Sequence, residues 1–291
     1  MSIRFIGICA NVLQLTRLCG LPASASTILQ VMTTRIRDLI EALDLRAPFD
    51  AAAGWDSVGL QIGRSGAAVD RIAVVHEITD TTVAKCVAAS VDTVVTYHPL
   101  VFHPLTSVTD RPGAEGRALM LAEEGIAVVT MHTNWDVAEG GTADCLAGAL
   151  GIDEVSGFGI GSDAVGEPEV GRIGAFDGSW ETLLSGVIEV LGGVVRSAAV
   201  ADTLANRVAV LPGSGGAFVA AAVALGADVL VTGDVSHHEA RSAADGGMAI
   251  IDPGHASTER PGVQALYAAV VEIAGSVEDL TSIDNSPWEG G

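Results

Sequence analysis

Histidine and carboxylate side chains recur in this sequence directly after short, β-branched apolar runs. Four such clusters stand out: Tyr97-His98-Pro99, residues 132–136, residues 233–239, and Asp252-Pro253-Gly254-His255. In an open α/β sheet the carboxyl ends of the strands form the ligand crevice, so clusters that are distant in sequence are expected to converge there. Imidazole and carboxylate groups suit Zn, Mn, Fe or Ni. The pattern therefore predicts a divalent-metal site that keeps open coordination positions.

The spacing within two clusters supports this prediction. His132 and Asp136 are four positions apart, as are His255 and Glu259. Side chains with this spacing lie on one side of a helical turn, so one metal could contact both members of a pair. A lone histidine after a strand more often caps the strand or bonds to the backbone. Four clusters together favour metal binding over that structural interpretation.

Six β-branched runs separated by Ala-rich helical stretches predict the elements that position these clusters. The runs are residues 71–75, 93–96, 126–131, 207–211, 229–232 and 249–251. Their alternation with helical segments is typical of an α/β fold, in which a mainly parallel or mixed sheet is covered by helices. The glycine-rich stretch 211–217 follows one strand, and either a tight turn or an anion site would explain its glycines.

A weak internal echo predicts that the chain has two related α/β halves. Residues 91–96 resemble residues 227–232, and residues 125–129 resemble residues 247–251. We place the first half at 32–156 and the second at 157–291. Residues 1–31 are predicted to be an N-terminal extension outside the fold, because apolar residues at helical spacing begin only after Met32. A targeting signal is the alternative for that extension.

Composition limits the classes of partner. The chain has 36 Asp and Glu residues against 15 Lys and Arg, which gives a net charge of −21. This field repels phosphate backbones and anionic bilayers, so direct nucleic-acid binding and membrane binding are disfavoured. The four cysteines form no CxxC pair, which fits a reducing compartment and an expected cytoplasmic location.

Four motifs, taken in order, resemble the successive signatures of the NIF-three-like dinuclear-metal family. They are Trp55-Asp56-Ser57-Val58-Gly59-Leu60, Tyr97-His98-Pro99-Leu100-Val101-Phe102, His132-Thr133-Asn134-Trp135-Asp136 and Gly254-His255-Ala256-Ser257-Thr258-Glu259. The resemblance covers roughly residues 32–275. Many bacterial members are named GTP cyclohydrolase 1 type 2 homologs. The resemblance implies the NIF-three-like fold, with two related halves whose mixed sheets are covered by helices.

The resemblance also implies a set of metal ligands for one or two divalent cations per chain. His98 and Asp136 would hold one metal, His255 would help to hold a second, and Glu259 would bridge the two. Bacterial members usually have two adjacent histidines where this chain has Tyr97 and His98, so one expected imidazole is absent. The Tyr-His-Pro variant is closer to the eukaryotic branch.

Two further histidines, His132 and His238, are candidates for the chemistry itself. Each could orient a ligand, replace the missing imidazole, or act as a general acid or base. The leading hypothesis is a metal-dependent hydrolase that acts on a nucleotide or a related small molecule and assembles as a homohexamer. The alternative is a non-catalytic factor that holds metal or interacts with another protein.

Overall fold

The computed structural model describes residues 35–159, 168–192, 195–200, 202–284 and 286–288. The predicted extension, residues 1–31, lies outside these residues. The described chain divides into two compact units: residues 35–138 with Leu266–Pro287 form the first unit, and Glu139–Ala265 forms the second unit. The predicted boundary between residues 156 and 157 stays a prediction. Within the described part of the chain, every helix is too short or too polar to cross a membrane.

The first unit is built on a five-stranded mixed sheet. Its strands are β1 (Gly59–Ile62), β2 (Ile72–Val75), β3 (Thr93–Thr96), β4 (Ala127–Thr130) and β11 (Val277–Leu280). They lie in the order β1-β4-β3-β2-β11, where β1 is antiparallel to β4 and the other neighbours are parallel. The helices preceding or joining these strands are α1 (Ile36–Arg46), α2 (Asp80–Ala88), α3 (Ala114–Glu123) and α4 (Thr133–Val137).

The second unit contains a six-stranded mixed sheet. Its strands are β5 (Asp153–Phe158), β6 (Gly171–Ala175), β7 (Arg196–Ala198), β8 (Arg207–Ser214), β9 (Val229–Gly233) and β10 (Ala249–Asp252). Their order is β5-β6-β8-β9-β10-β7, and only the central three are parallel to one another. The helices are α5 (Thr142–Ala149), α6 (Trp180–Leu191), α7 (Val219–Ala224), α8 (His237–Asp245) and α9 (His255–Ala274), whose last residues belong to the first unit.

Successive side chains of the central strands in the second unit pack into two separate apolar cores, one on each face of the sheet. Val208 and Val210 pack on one face with Leu183 and Val187 of α6. Ala209, between them in sequence, packs on the opposite face in a separate core with residues of α7 and α8. Successive side chains of a strand point to opposite faces, so a strand covered on both sides has an uninterrupted apolar sequence.

Both units have the same hydrogen-bonding arrangement where their parallel strands begin. Asp92, just before β3, and Asp228, just before β9, each accept hydrogen bonds at one carboxylate oxygen from two successive backbone N–H groups of the neighbouring strand. The donors are Asp70 and Arg71 for the first aspartate, at 2.9 and 2.8 Å, and Asn206 and Arg207 for the second, both at 2.9 Å. The predicted α/β class with two related halves and mixed sheets is therefore confirmed.

Candidate metal-binding residues

Four aromatic or imidazole rings lie together at the carboxyl ends of the parallel strands of the first unit. His76 follows β2, Tyr97 and His98 follow β3, and His132 lies just beyond β4. We call these four residues the ring cluster. The ring centroids of His76 and His98 are 4.9 Å apart, and those of His98 and His132 are 5.6 Å apart. Tyr97 contacts the other three rings at 5.2 to 5.6 Å.

Backbone pairing fixes the register of the ring cluster. The parallel ladder continues past the strand ends: the N–H of Tyr97 donates to the carbonyl oxygen of Val75 at 3.1 Å, and that of His98 donates to the carbonyl oxygen of His76 at 2.9 Å. His76 and Tyr97 are both fully buried, each 1% exposed. The rings are therefore held by the sheet itself.

Asp136 is attached to the ring cluster through Tyr97. The Tyr97 hydroxyl donates to Asp136 Oδ1 at 2.6 Å, and Asp136 is buried, with 7% of its surface exposed. Helix α4 begins directly after His132, and the N–H of Asp136 donates to the His132 carbonyl oxygen at 3.0 Å. The predicted helical turn across this pair is therefore present, and it places Asp136 beside the rings.

A buried aspartate orients His132. Nδ1 of His132 lies 2.9 and 3.0 Å from the two carboxylate oxygens of Asp56, which also accepts a hydrogen bond from the backbone N–H of Thr133 at 3.0 Å. Burial by itself would raise the Asp56 pKa, but its hydrogen bond with His132, the charge of that ring and the bonds from Thr133 together lower it. An ionised carboxylate can only accept, so Nδ1 carries a proton, and whenever the ring is neutral Nε2 is its basic nitrogen.

The second unit contains a separate line of three side chains, Asp234, His255 and Glu259. Nδ1 of His255 lies 2.7 Å from Asp234 Oδ2, and Nε2 lies 2.9 Å from Glu259 Oε1. His255 is the first residue of α9, so Glu259 lies one turn further along the same face, as the spacing predicts. Glu259 is 3% exposed.

These two carboxylates change the titration of His255. Burial favours the neutral ring, but the hydrogen bonds and negative charges of Glu259 and Asp234 outweigh that effect and raise the His255 pKa to about 9. This raised pKa favours the protonated ring, whose Nε2–H can donate to Glu259. A cation bound beside both atoms could replace that proton.

The strand ends of the second unit fix the turn that leads to His255. The Asp252 carboxylate, at the end of β10, accepts hydrogen bonds from the backbone N–H groups of Gly254 at 2.9 Å and of Val235 at 3.1 Å. It also forms an ion pair with Arg196 of β7. Gly254 has a φ of 94°, a conformation that an L side chain rarely adopts. The start of α9 is therefore set by a conformationally restricted turn.

The donor sets of both units suit a divalent metal. Imidazole nitrogens and carboxylate oxygens are common ligands of Zn, Mn, Fe and Ni, and both units place such groups at strand ends. In the second unit Asp234 binds the far nitrogen of His255, which is the arrangement that carboxylates commonly adopt behind a metal-bound imidazole. In the first unit the ring nitrogens of His76 and His98 include a pair within 4.8 Å.

Comparison with known proteins places the chain in a family. The model of the Duf34/NIF3 (NGG1p interacting factor 3) family matches residues 34–284. The chain belongs to the Duf34/NIF3 family. The predicted resemblance is confirmed, and the motifs that carried it all lie inside the matched range.

Individual relatives of this Duf34/NIF3 protein support the same assignment. A protein of Lactococcus lactis, named GTP cyclohydrolase 1 type 2 homolog, is 31% identical over 76% of this chain and 86% of its own length. A protein of Streptomyces coelicolor with the same name is 31% identical over 82% of this chain and 87% of its own length. A solved structure, a Staphylococcus aureus hypothetical protein, has 26% identity and a TM-score of 0.76, and the match covers 88% of this chain and 99% of that one.

The predicted site residues of this Duf34/NIF3 chain fall into three places. His98, His132 and Asp136 lie together in the first unit, and His255 and Glu259 lie together in the second. His238 instead lies exposed on α8, where its ring contacts that of His237 at 5.4 Å. Its assignment as a catalytic residue stays a prediction.

Sequence reasoning missed His76 and the pairing of Asp234 with His255. His76 directly follows the predicted strand 71–75, so its position after a strand was an available signal. Asp234 was included in a cluster, but its partner His255 lies beyond the end of the next strand, β10, and the parallel pairing of β9 with β10 brings the two together. Asp56 lies in the first of the four recognised motifs, and its bonds to His132 show that it orients that ring.

The glycine-rich stretch 211–217 is a packed turn. Gly216 lies directly against the Glu239 carboxylate, and Gly215 lies against the Thr232 side chain. A carboxylate at this position would repel an anion. These contacts favour a structural explanation for the glycines.

Proposed function

We propose that this protein is a divalent-metal-dependent hydrolase that acts on a nucleotide or a related small molecule. The observation that carries the proposal is the presence, in each unit, of imidazole groups beside a buried carboxylate, Asp136 or Glu259, just beyond the carboxyl ends of parallel strands. The names of the relatives support a purine nucleotide as the substrate class. The proposal also includes the binding of one or two cations per chain. It further includes a cytoplasmic location for the protein.

In this proposal His98 and Asp136 are metal ligands in the first unit, and His255 and Glu259 are metal ligands in the second. A bound divalent metal would polarise the reacting carbon or phosphorus centre and make water a stronger acid. Asp234 would keep the His255 ring oriented by accepting a hydrogen bond from its Nδ1–H. Tyr97 would do the same for Asp136 by donating to one of its oxygens.

His132 is the residue best suited to move a proton. Asp56 fixes its Nδ1 as the donor, so Nε2 can accept a proton from water and later return it to a leaving group. The His132 side chain is 15% exposed, whereas the Asp56 side chain is fully buried. The ring is therefore reachable while its orienting partner is protected from solvent.

Two exposed aromatic side chains next to His132 support a planar substrate. The Trp55 ring is 5.8 Å from that of Phe102 and 6.5 Å from that of His132, and Trp55 and Phe102 are 59% and 43% exposed. The Gln61 side chain bonds the carbonyl oxygens of Ser57 and Val101, which holds the two loops together. An exposed aromatic surface held in this way can stack on a heterocyclic base.

The first experiment measures metal content and turnover of the full-length protein. Elemental analysis after dialysis against a weak chelator should find at least one Zn, Mn, Fe or Ni per chain. Purine nucleotides, simple phosphoesters and ribose phosphates without a base would then be screened with each metal restored. We expect hydrolysis of a base-containing substrate that depends on metal.

Glu259→Gln is the variant that tests the ligand assignment, because it keeps the volume of the side chain and removes its charge. Metal content should fall below that of the wild type, and turnover should fall with it. Glu272→Gln, an exposed position on the same helix, is the matched control and should change neither. Stoichiometric metal without turnover of any substrate would contradict the hydrolase and favour the non-catalytic metal-holding alternative.

A further inference from the structure

We propose that His76 is a metal ligand of the first unit and supplies the imidazole that is missing at position 97. This inference rests on the metal binding in the proposed function and extends it to a residue outside the recognised motifs. Its basis is the arrangement of neighbouring strand ends, in which the histidine that follows β2 lies beside the one that follows β3.

The position of His76 is fixed relative to His98 by main-chain geometry. In the parallel ladder Val75 pairs with Thr96, and the next hydrogen bond runs from the His98 N–H to the His76 carbonyl oxygen at 2.9 Å. The alternation of side chains directs His76 away from the apolar core that contains Ala73 and Val75. It therefore faces Tyr97 and His98, the two members of the ring cluster that its ring contacts.

The distances between donors suit a shared cation. The two rings are tilted by 40° with centroids 4.9 Å apart, and a nitrogen of each ring lies within 4.8 Å of the other. Two metal–nitrogen bonds of about 2.0–2.1 Å span at most about 4 Å. Rotation of the rings toward each other would bring the two nitrogens within reach of one cation.

Tyr97 is poorly suited to take this role. Its hydroxyl donates to Asp136 Oδ1 at 2.6 Å, so it acts as a hydrogen-bond donor to a candidate ligand. A protonated phenol is also a weaker neutral ligand than imidazole for Zn, Fe or Ni. The rings of His76 and Tyr97 are in contact, with centroids 5.6 Å apart. An imidazole from either position would therefore reach the same region of the first unit.

The test is a pair of substitutions measured on the full-length protein. His76→Phe keeps an aromatic ring in contact with Tyr97 and His98 but removes both nitrogens. We expect its affinity for Zn²⁺ or Co²⁺ to fall by about tenfold or more, since even partners that only orient ligands change metal affinity by that amount. The visible spectrum of bound Co²⁺ should also change. His103→Phe, an exposed histidine of the same unit, should bind metal like the wild type.

Rescue distinguishes a ligand from a packing residue. In the double variant His76→Phe with Tyr97→His, the second substitution should restore at least part of the lost affinity, because it returns an imidazole to the ring cluster. If His76→Phe fails to fold, His76→Gln replaces it in both measurements. Wild-type affinity and an unchanged Co²⁺ spectrum in the His76 variants would overturn the inference alone. A wild-type protein that binds no metal would overturn the proposed function and this inference together.

Discussion

Gly213 connects backbone conformation to the candidate ligands of the second unit. It has a φ of 68°, and a Cβ at this position would lie 2.7 Å from Glu259 Oε1 and 3.3 Å from His255 Nε2. Its N–H donates to Thr258 Oγ1 at 2.9 Å, which fixes its distance from α9. The absence of a side chain here leaves the space that the carboxylate occupies.

Gly213→Ala is therefore expected to reduce metal content as well as stability. Gly226→Ala is the matched control, because Gly226 has a φ of 72° but no atom near the position of an added Cβ. Both variants should lose about 1 kcal/mol or more of unfolding free energy from backbone strain. Only Gly213→Ala should also lose metal. Denaturant unfolding and elemental analysis would measure the two effects, and equal metal content in both variants would contradict the contact argument.

Residue types and spacing were enough to select most of the candidate ligands. The helical spacing of His255 and Glu259 predicted their contact, because the pair lies within one element. His76 was missed because it forms no motif with its own sequence neighbours. Its significance depends on which strand lies beside β3, and that pairing is a property of the folded sheet.

At the scale of elements, substitution of the aspartates that precede β3 and β9 would show whether they stabilise the two units in the same way. Asp92→Ala and Asp228→Ala should each reduce unfolding free energy by about 1–3 kcal/mol, because each leaves two backbone N–H groups without their charged acceptor. Asp70→Ala is the control, because Asp70 donates to Asp92 through its backbone N–H and the substitution keeps that group. Denaturant unfolding followed by circular dichroism would show the effect, and a cost confined to one unit would argue against equivalent roles.

The six strands that the sequence predicted are mostly buried. All six predicted runs form strands, since their apolar residues are covered on both faces. Five strands were missed. β6 is mostly buried, but two glycines and Arg172 interrupt its apolar pattern. The other four, β1, β5, β7 and β11, have half-buried or exposed positions that dilute the pattern. All four lie at sheet edges, where contact with one neighbouring strand is the main determinant of structure.

The whole molecule carries a net charge of −21, and this charge should influence how copies of the chain assemble. Similar charges on two copies repel each other, and the repulsion is screened over about 3 Å at 1 M salt but over about 10 Å at 0.1 M. Family resemblance led us to expect a closed homohexamer. Assembly of such an acidic chain should therefore be favoured by salt.

Light scattering of the full-length protein would test this expectation. At about 1 M NaCl, where screening is strongest, the scattering mass should be about six times the 29.5 kDa chain mass. At salt well below about 0.1 M, smaller species should appear, because repulsion between subunits then acts over a longer range. A neutral solute at matched osmolality is the control: it leaves charges unscreened, so it should not reproduce the effect of NaCl. A monomer under all conditions would contradict the hexamer, whereas a salt-independent hexamer would show that apolar contacts at the interface outweigh the repulsion.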